Sequence, residues 1–339
     1  MSAAKGPWGL IHDALRAAAM PALVALALSP FCLDAASAET DYPSKLIKII
    51  VPFPAGGPPD AIARVLALHL HNRIGQTIVI ENRPGAGTTI GTRSAATANP
   101  DGYTLLFTGN NLCYFPVLYP KLDFDPDKSL ATVATVVAYS HVMVVASGVP
   151  AKSVAELAAY AKVNPGRLMF GYAPGTPPHI LGEAFRQATA ADIAFVPYRG
   201  GDQARADLLG GRVHINVAPV ATLLPLIREG KVRPLAYTGP QRSPHLPDVP
   251  TMIESGLPEV GFNPDAWHGL MVPGATPAAV IEKLNIAINE SLKSPEMRAT
   301  LATLGFEPRI STSQEFAAFL SDEMQKWPPR LRSAGVQAE

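Results

Sequence analysis

The sequence predicts an α/β protein made of two similar units in tandem, each a sheet with helices on both faces. Three observations carry this. Apolar runs of strand length alternate with helix-length amphipathic stretches, Pro and Gly punctuate the junctions, and the layout that starts at Leu46 recurs at Leu168.

Taken in order, "LIKIIV", Leu46 to Val51, reads as a buried strand. "AIARVLALHLHNRIG" then puts Ile62, Val65, Leu66 and His69 on one helical stripe, with Gly75 as a stop. "TIVIEN" is a second strand and "YTLLFTG" a third; between them "AATANPDG" ends in a turn at Asn99 to Gly102. A β-α-β-α-β order of this kind implies a mostly parallel sheet. The pattern restarts with "VAYSHVMVVASG", one strand-like run. "SVAELAAYAKVNPG" opens with a capping box, Ser153 to Glu156, and ends at a Pro-Gly stop. "LMFGYA" is a strand, "PPHILGEAFRQATA" a helix and "IAFVPY" a strand. "GGDQARADLLGG" is a helix closed by Gly210 and Gly211, and the strands "VHINVA" and "VRPLAYTG" flank the helix "ATLLPLIREG". Two amphipathic helices follow near the end. Thr276 caps "TPAAVIEKLNIAINESLK" with Pro277 in its first turn, and Thr312 with Glu315 forms a capping box on "STSQEFAAFLSDEMQKW".

The chain of 339 residues is long enough for a large core and two domains. Lys+Arg and Asp+Glu both total 28, which argues against a nucleic-acid partner, since such proteins carry a basic surplus or stripe. Residues 1–38 read as a secretory signal peptide. Lys5 and Arg16 precede the short apolar run Ala17 to Leu28, and Ala36-Ser37-Ala38 supplies a small-x-small cleavage site. The apolar run is too short to span a bilayer. Cleavage would leave Cys113 as the single cysteine, without an intramolecular disulfide. The expectation is a soluble periplasmic protein.

The chemistry concentrates at two turns. "VPFPAGGPPDAIAR" leads from a strand into a helix, and a helix N-terminus carries unpaired amides and a partial positive charge. Ala55, Gly56 and Gly57 have amides to offer, whereas Pro58 and Pro59 have none and fit the opening helical turn. The turn is either a bend that glycine permits or a cradle for a carboxylate. Phe53 would pack against a ligand's apolar body, while Asp60 suits ordering the loop or holding water. "LMFGYAPGTPPHILGEAF" repeats the layout, with Tyr172, Gly175, Thr176 and His179. The Thr176 hydroxyl beside a glycine amide is an anion-holding pair; His179 holds an anion, caps or packs. The two turns are placed to face each other across a cleft between domains.

Enzyme signatures are thin. The sequence contains no G-x-S-x-G, H-E-x-x-H, P-loop or G-x-G-x-x-G, and "GAGTTIG" at Gly85 to Gly91 lacks the dinucleotide spacing. His69 and His71 fall on different helical faces. His141, His214, His245 and His268 are scattered, and Cys113 has no histidine near it in sequence. No catalytic residue, metal or cofactor is expected.

Taken together, these motifs resemble the periplasmic solute-binding proteins of tripartite tricarboxylate transporters, the Bug family. The similarity runs from "YPSKLIKIIVPFPAGGPPDAIAR" through "GQTIVIENRPGAGTTIGTRSAATANPDGYTLLF", "LYPKLDFDP", "VPAKSVAELAAYAKVNPGRLMF", "GTPPHILGEAF" and "VPYRGGDQARADLLGGRV" to "LAYTGPQRSPHLPDVPTMIESGLP", "WHGLMVPGATP" and "LGFEP". It implies a periplasmic-binding-protein-like, type II flytrap with a central cleft. Domain 1 is then discontinuous, 41–140 with 266–339, and domain 2 is 141–265. It also implies a ligand carboxylate held by Phe53, Ala55, Gly56, Gly57 and Asp60 from the first turn. Thr176 and His179 serve from the second, with Tyr172, Ala173 and Gly175 around them and Tyr198 of "VPYRGG" at the cleft. The chain departs from the family pattern at Gly171, Tyr172 and Ala173, at "GNNLC", and at His214 and Asn216. Tyr172 and Asn110 thereby add a ring and an amide to the implied pocket wall, which suits a ring-bearing or longer acid. The expected role is that of a monomeric, non-catalytic receptor delivering a small carboxylate to transporter membrane subunits. A ligand-presenting sensor is the alternative, and a secreted hydrolase using the same cleft is the alternative of another class.

Overall fold

The run Ile47–Val51 forms strand β1 and buries four of its five residues, only Lys48 being partly exposed. The computed structural model describes residues 42–260, 266–333 and 335–336, so the expected leader at 1–38 lies outside the described residues. After β1 the chain continues through α1 (Pro58–Ile74), β2 (Ile78–Asn82), a 3-10 turn (Ala86–Thr88), α2 (Thr89–Ala96), β3 (Thr104–Gly109), α3 (Asn111–Leu118), α4 (Pro126–Ser129) and β4 (Leu130–Tyr139). Next come β5 (His141–Ala146), α5 (Val154–Val163), β6 (Leu168–Tyr172), α6 (Pro177–Thr189), β7 (Ile193–Pro197), α7 (Gly201–Leu209), β8 (Ile215–Pro219), α8 (Val220–Arg228) and β9 (Val232–Tyr237). The last elements are β10 (Ala266–Pro273), α9 (Ala278–Lys293), α10 (Pro295–Thr303), β11 (Glu307–Pro308) and α11 (Ser313–Ser333).

Two sheets result. One has the order β11-β4-β10-β3-β1-β2 and the other β7-β6-β8-β5-β9. Each contains a parallel trio, β1-β2-β3 or β6-β7-β8. Antiparallel pairings extend both: β10 runs between β3 and β4, and β5 between β8 and β9. The expected mostly parallel sheets are therefore corrected to mixed ones. The cause is strands that return against the βαβ direction, above all β10, which inserts late in the chain into the middle of the first sheet.

A second correction concerns "VAYSHVMVVASG". It is not one strand: the chain breaks at Ser140, ends β4 in the first sheet and begins β5 in the second. Thr276 does not cap α9 either. Pro277 occupies the cap position, and the Thr276 hydroxyl donates back to the Pro273 carbonyl at 2.7 Å. The box on α11 forms as expected: Thr312 Oγ1 accepts from the Glu315 amide at 3.1 Å, and Glu315 accepts from the Thr312 amide at 2.8 Å.

The register fixes which strand ends share an edge. In the first sheet the ends of β1 and β3 lie beside the end of β4 and the start of β10, because Ala266 pairs with Tyr139 and His268 with Gly109. In the second sheet the ends of β6 and β8 lie beside the start of β5, where His141 pairs with Pro219. The crossover Tyr139-Ser140-His141 joins these two edges. A hydrophobic cluster runs through both layers, including Ile50, Leu106 and Trp267 from one sheet, Phe170, Ile215 and Leu235 from the other, and Trp327 and Leu331 of α11. At roughly 2 kcal/mol for each fully buried large apolar side chain, such a cluster is the main term holding the layers together. Among the described residues no helix is long and apolar enough to cross a membrane.

Candidate functional site

Both Gly-Pro turns rise from these facing edges, one after β1 and one after β6. They share a single construction. In each, a glycine with positive φ (84° at Gly56, 65° at Gly175) turns the chain, an extended residue caps the helix (Gly57 or Thr176), and two prolines fill its first turn. The third helical residue then reaches back to the turning glycine. Asp60 Oδ2 accepts the Gly56 amide at 2.9 Å, and His179 Nδ1 accepts the Gly175 amide at 3.4 Å. The repeat seen in the sequence is thus a repeated hydrogen-bond plan with different acceptors.

Asp60 is only 3% exposed. It also takes Arg64 Nε at 2.9 Å and Asn82 Nδ2 at 2.9 Å, while Asn82 Nδ2 donates to the Phe53 carbonyl at 3.1 Å. Burial pushes the Asp60 carboxyl up, but the bonds from Arg64, Gly56 and Asn82 outweigh it and hold the group below the usual carboxylate range. Asp60 is therefore the knot that orders the first loop. His179 is buried, lies under Tyr172 with ring centroids 4.5 Å apart, and is held neutral by desolvation, its pKa lowered to about 4. Because Nδ1 accepts from Gly175, the ring proton belongs on Nε2.

This plan corrects part of the expected donor set. The Gly56 amide is taken by Asp60, and the Gly175 amide by His179. The Thr176 hydroxyl donates to the Ala173 carbonyl at 2.6 Å, which orders the second loop. Among the described residues, the amides of Ala55, Gly57 and Thr176 have no hydrogen-bond partner. Two of these, Gly57 and Thr176, are the cap amides of α1 and α6, at the positive ends of two helix dipoles.

The turns meet partners across the gap. A Cβ built at Gly175 would lie 3.1 Å from Cα and O of Gly87, one at Gly200 would lie 3.3 Å from Pro54 Cγ, and one at Gly57 would lie 3.6 Å from Asp202 Oδ2. Gly87 belongs to a strained segment in which Ala86 (φ 43°) and Thr88 (φ 81°) adopt left-handed backbone without being glycine. Asn111 Nδ2 donates to Thr88 Oγ1 at 2.7 Å and helps pin it. The segment lies within "GAGTTIG", whose glycine density was the signal available in the sequence.

Two expected site residues have side-chain partners outside the two turns. Tyr198 donates its hydroxyl to Asp207 at 2.7 Å, and Asp207 is also bound by Arg212, so the phenol is anchored at the end of α7. Asn110 is buried; its Oδ1 accepts the Trp267 amide at 2.8 Å, and its Nδ2 faces Glu323 of α11 at 3.5 Å. It ties β10 to α11. Sequence reading missed a group of rings that the register brings together: Tyr139, His141 and His268 beside Phe53. Phe53 stacks on His268 (centroids 5.7 Å apart, planes within 8°), and Tyr139 lies 5.2 Å from both His141 and His268. Phe53 and His268 are far from Tyr139 and His141 along the chain, which left no local signal for the group. Among the described residues there is no cluster of three or more metal-ligating side chains.

Comparison with known proteins bears on this arrangement. The family model described as the tripartite tricarboxylate transporter family receptor matches residues 62–336. Protein BugT of Bordetella pertussis is 38% identical over 304 residues, covering 89% of this chain and 92% of that one. The solved structure of the periplasmic binding protein BugD matches with a TM-score of 0.82 at 32% identity, over 88% of this chain and 100% of that one. A protein of R. palustris solved with adipate gives 0.82 at 30% identity, with the same coverage of 88% and 100%. MatC from Rhodopseudomonas palustris, with bound malate, gives 0.78 at 30% identity over 86% of this chain and 100% of that one. The shared fold is the two-domain α/β fold of periplasmic binding proteins.

Proposed function

The chain belongs to the tripartite tricarboxylate transporter receptor family, and on that premise we propose that it captures a small organic carboxylate between its two Gly-Pro turns and delivers it to the membrane subunits of a transporter. Among the similar proteins of known structure, BugD is a periplasmic binding protein, and two others were solved with a small carboxylate, adipate or malate. Export through a cleaved leader at 1–38 and work as a periplasmic monomer belong to the same proposal.

The observation that supports it best is the pair of unpartnered cap amides, Gly57 and Thr176, offered from opposite edges. A carboxylate between them would receive hydrogen bonds and two positive dipole ends without a cationic side chain. Ala55 adds a third amide, and Phe53 and Tyr172 flank it with rings. Asp60, Gly56, Gly175 and His179 act by holding the two loops in shape, and Ala173 by receiving the Thr176 hydroxyl. Asn110 and Tyr198 act further out, through β10 and α7. In this reading residues 41–140 with 266–339 form one lobe and 141–265 the other, the lobes closing at the Gly87–Gly175 and Pro54–Gly200 contacts.

A thermal-shift screen of mono-, di- and tricarboxylates tests it. At least one acid is expected to raise the melting temperature in a concentration-dependent way. Silence across the panel would overturn the reading.

A further inference from the structure

The ring group beside the first turn bears on the class of acid, given the proposed function, in which the cap amides hold the carboxylate.

Phe53 directly precedes the turn Pro54–Gly57, which makes its ring the nearest in sequence to the proposed carboxylate site. His268 stacks on Phe53, and Phe107 packs edge-on against His268 at 5.2 Å. Tyr139 and His141 continue the surface across the crossover that joins the sheets. The result is a continuous run of four rings at the joint, with Phe53 and Tyr139 half-buried and both histidines buried.

The run carries no net charge. His268 Nδ1 lies 2.6 Å from the Trp267 carbonyl and donates to it, which leaves Nε2 as a hydrogen-bond acceptor in the neutral ring. Burial lowers the His268 pKa to about 4 and that of His141 to about 3, the second ring being further opposed by the first. A carboxyl group lies behind this edge. Glu323, fully buried, is held by Trp327 Nε1 at 2.6 Å and by Lys326 at 3.3 Å, with Asn110 Nδ2 at 3.5 Å. Among the described residues no Lys or Arg stacks on or bonds to the rings of Phe53, Tyr139 or His268, so a second carboxylate placed against them would lose its water without gaining a cation. A flat uncharged body would instead gain ring contact, and a hydroxyl on it would find the His268 acceptor.

We propose that Phe53, Tyr139, His141 and His268 form the floor of the ligand site and select a monocarboxylate with a flat, uncharged, aromatic body over aliphatic dicarboxylates. Calorimetric titration of the protein with benzoate, 4-hydroxybenzoate, hexanoate, succinate and adipate tests this. The aromatic monocarboxylates are expected to bind at least about tenfold more tightly than succinate, adipate or hexanoate. Phe53→Leu and His268→Leu, each verified by its melting curve, should remove most of that preference while keeping measurable carboxylate binding. Tyr139→Phe, which keeps the ring, should retain it. Succinate or adipate binding as tightly as the aromatic acids would overturn the floor assignment and leave carboxylate capture standing. An unchanged preference in both folded Leu variants would overturn it as well. Binding of none of the five would overturn this inference; carboxylate capture itself would fall only if the wider panel were also silent.

Discussion

At the scale of single residues, the two helix entries do one job with two chemistries. Asp60 serves the first loop as an anion balanced by Arg64, and His179 serves the second as a neutral ring. Asp60→Ala strips the acceptor from the Gly56 amide, Asn82 and Arg64 at a site that is only 3% exposed. It should lower stability by roughly 2–4 kcal/mol in denaturant titration, because buried donors are left unmade. A cost near zero would show that the loop is ordered otherwise. The buried histidines set the acid response. His141, His179 and His268 have folded pKa values lowered to about 3, about 4 and about 4. The unfolded chain, titrating near 6.5, binds their protons first. Their contribution is therefore fully present above about pH 6.5 and is lost as pH falls toward 4, at about 1.4 kcal/mol per pH unit per group. Melting curves should shift down steadily over that window; a melting temperature that holds or rises there would contradict the assignment of neutral, buried rings. Asp60 was legible in the sequence as a loop-ordering residue, because an acid beside an anion site would repel it. The pairing of Gly175 with His179 was not, since a histidine entering a helix caps, packs or binds with no local distinction.

At the scale of elements, the βαβ rhythm, the helix starts and most strands were legible from apolar period and Pro/Gly punctuation. The break at Ser140 was not. "AYSHVMVV" is continuously apolar enough for one strand, and only the competition of two sheets for its halves divides it. The late insertion of β10 between β3 and β4 is likewise a tertiary fact without a sequence period of its own. The side-chain partners of Asn110 and Tyr198 were not legible for the same reason: strand and loop position were readable, but Trp267, Glu323 and Asp207 come to them only through how the elements pack. The contact between loops gives an element-scale prediction. Gly175 has φ 65°, and a Cβ there would press on the Gly87 backbone at 3.1 Å, a neighbour that has no side chain to move aside. Gly175→Ala should cost about 1 kcal/mol through its backbone conformation. It should also hold the loops apart, so that ligand affinity falls by more than the loss of stability explains. Equal affinity in the folded variant would show that this contact plays no part in closure.

For the whole molecule, the proposed function has the two sheets bring helix caps from opposite edges onto one carboxylate. Gly57→Asp tests that claim at a position whose backbone accepts a side chain. The backbone at Gly57 (φ −78°, ψ 168°) accepts any residue, no atom crowds the new Cβ, and aspartate is a favoured helix cap. Its side chain would place a built-in carboxylate at the cap of α1, opposite Asp202. The decisive measurement is thus a calorimetric titration of wild type and Gly57→Asp, side by side, with whichever acid gives the largest thermal shift. Clear binding by the wild type is expected, with at least a hundredfold loss, about 3 kcal/mol, in a variant that still melts cooperatively, its favourable cap being opposed by the Asp202 carboxylate. Equal affinity in the two proteins would contradict it.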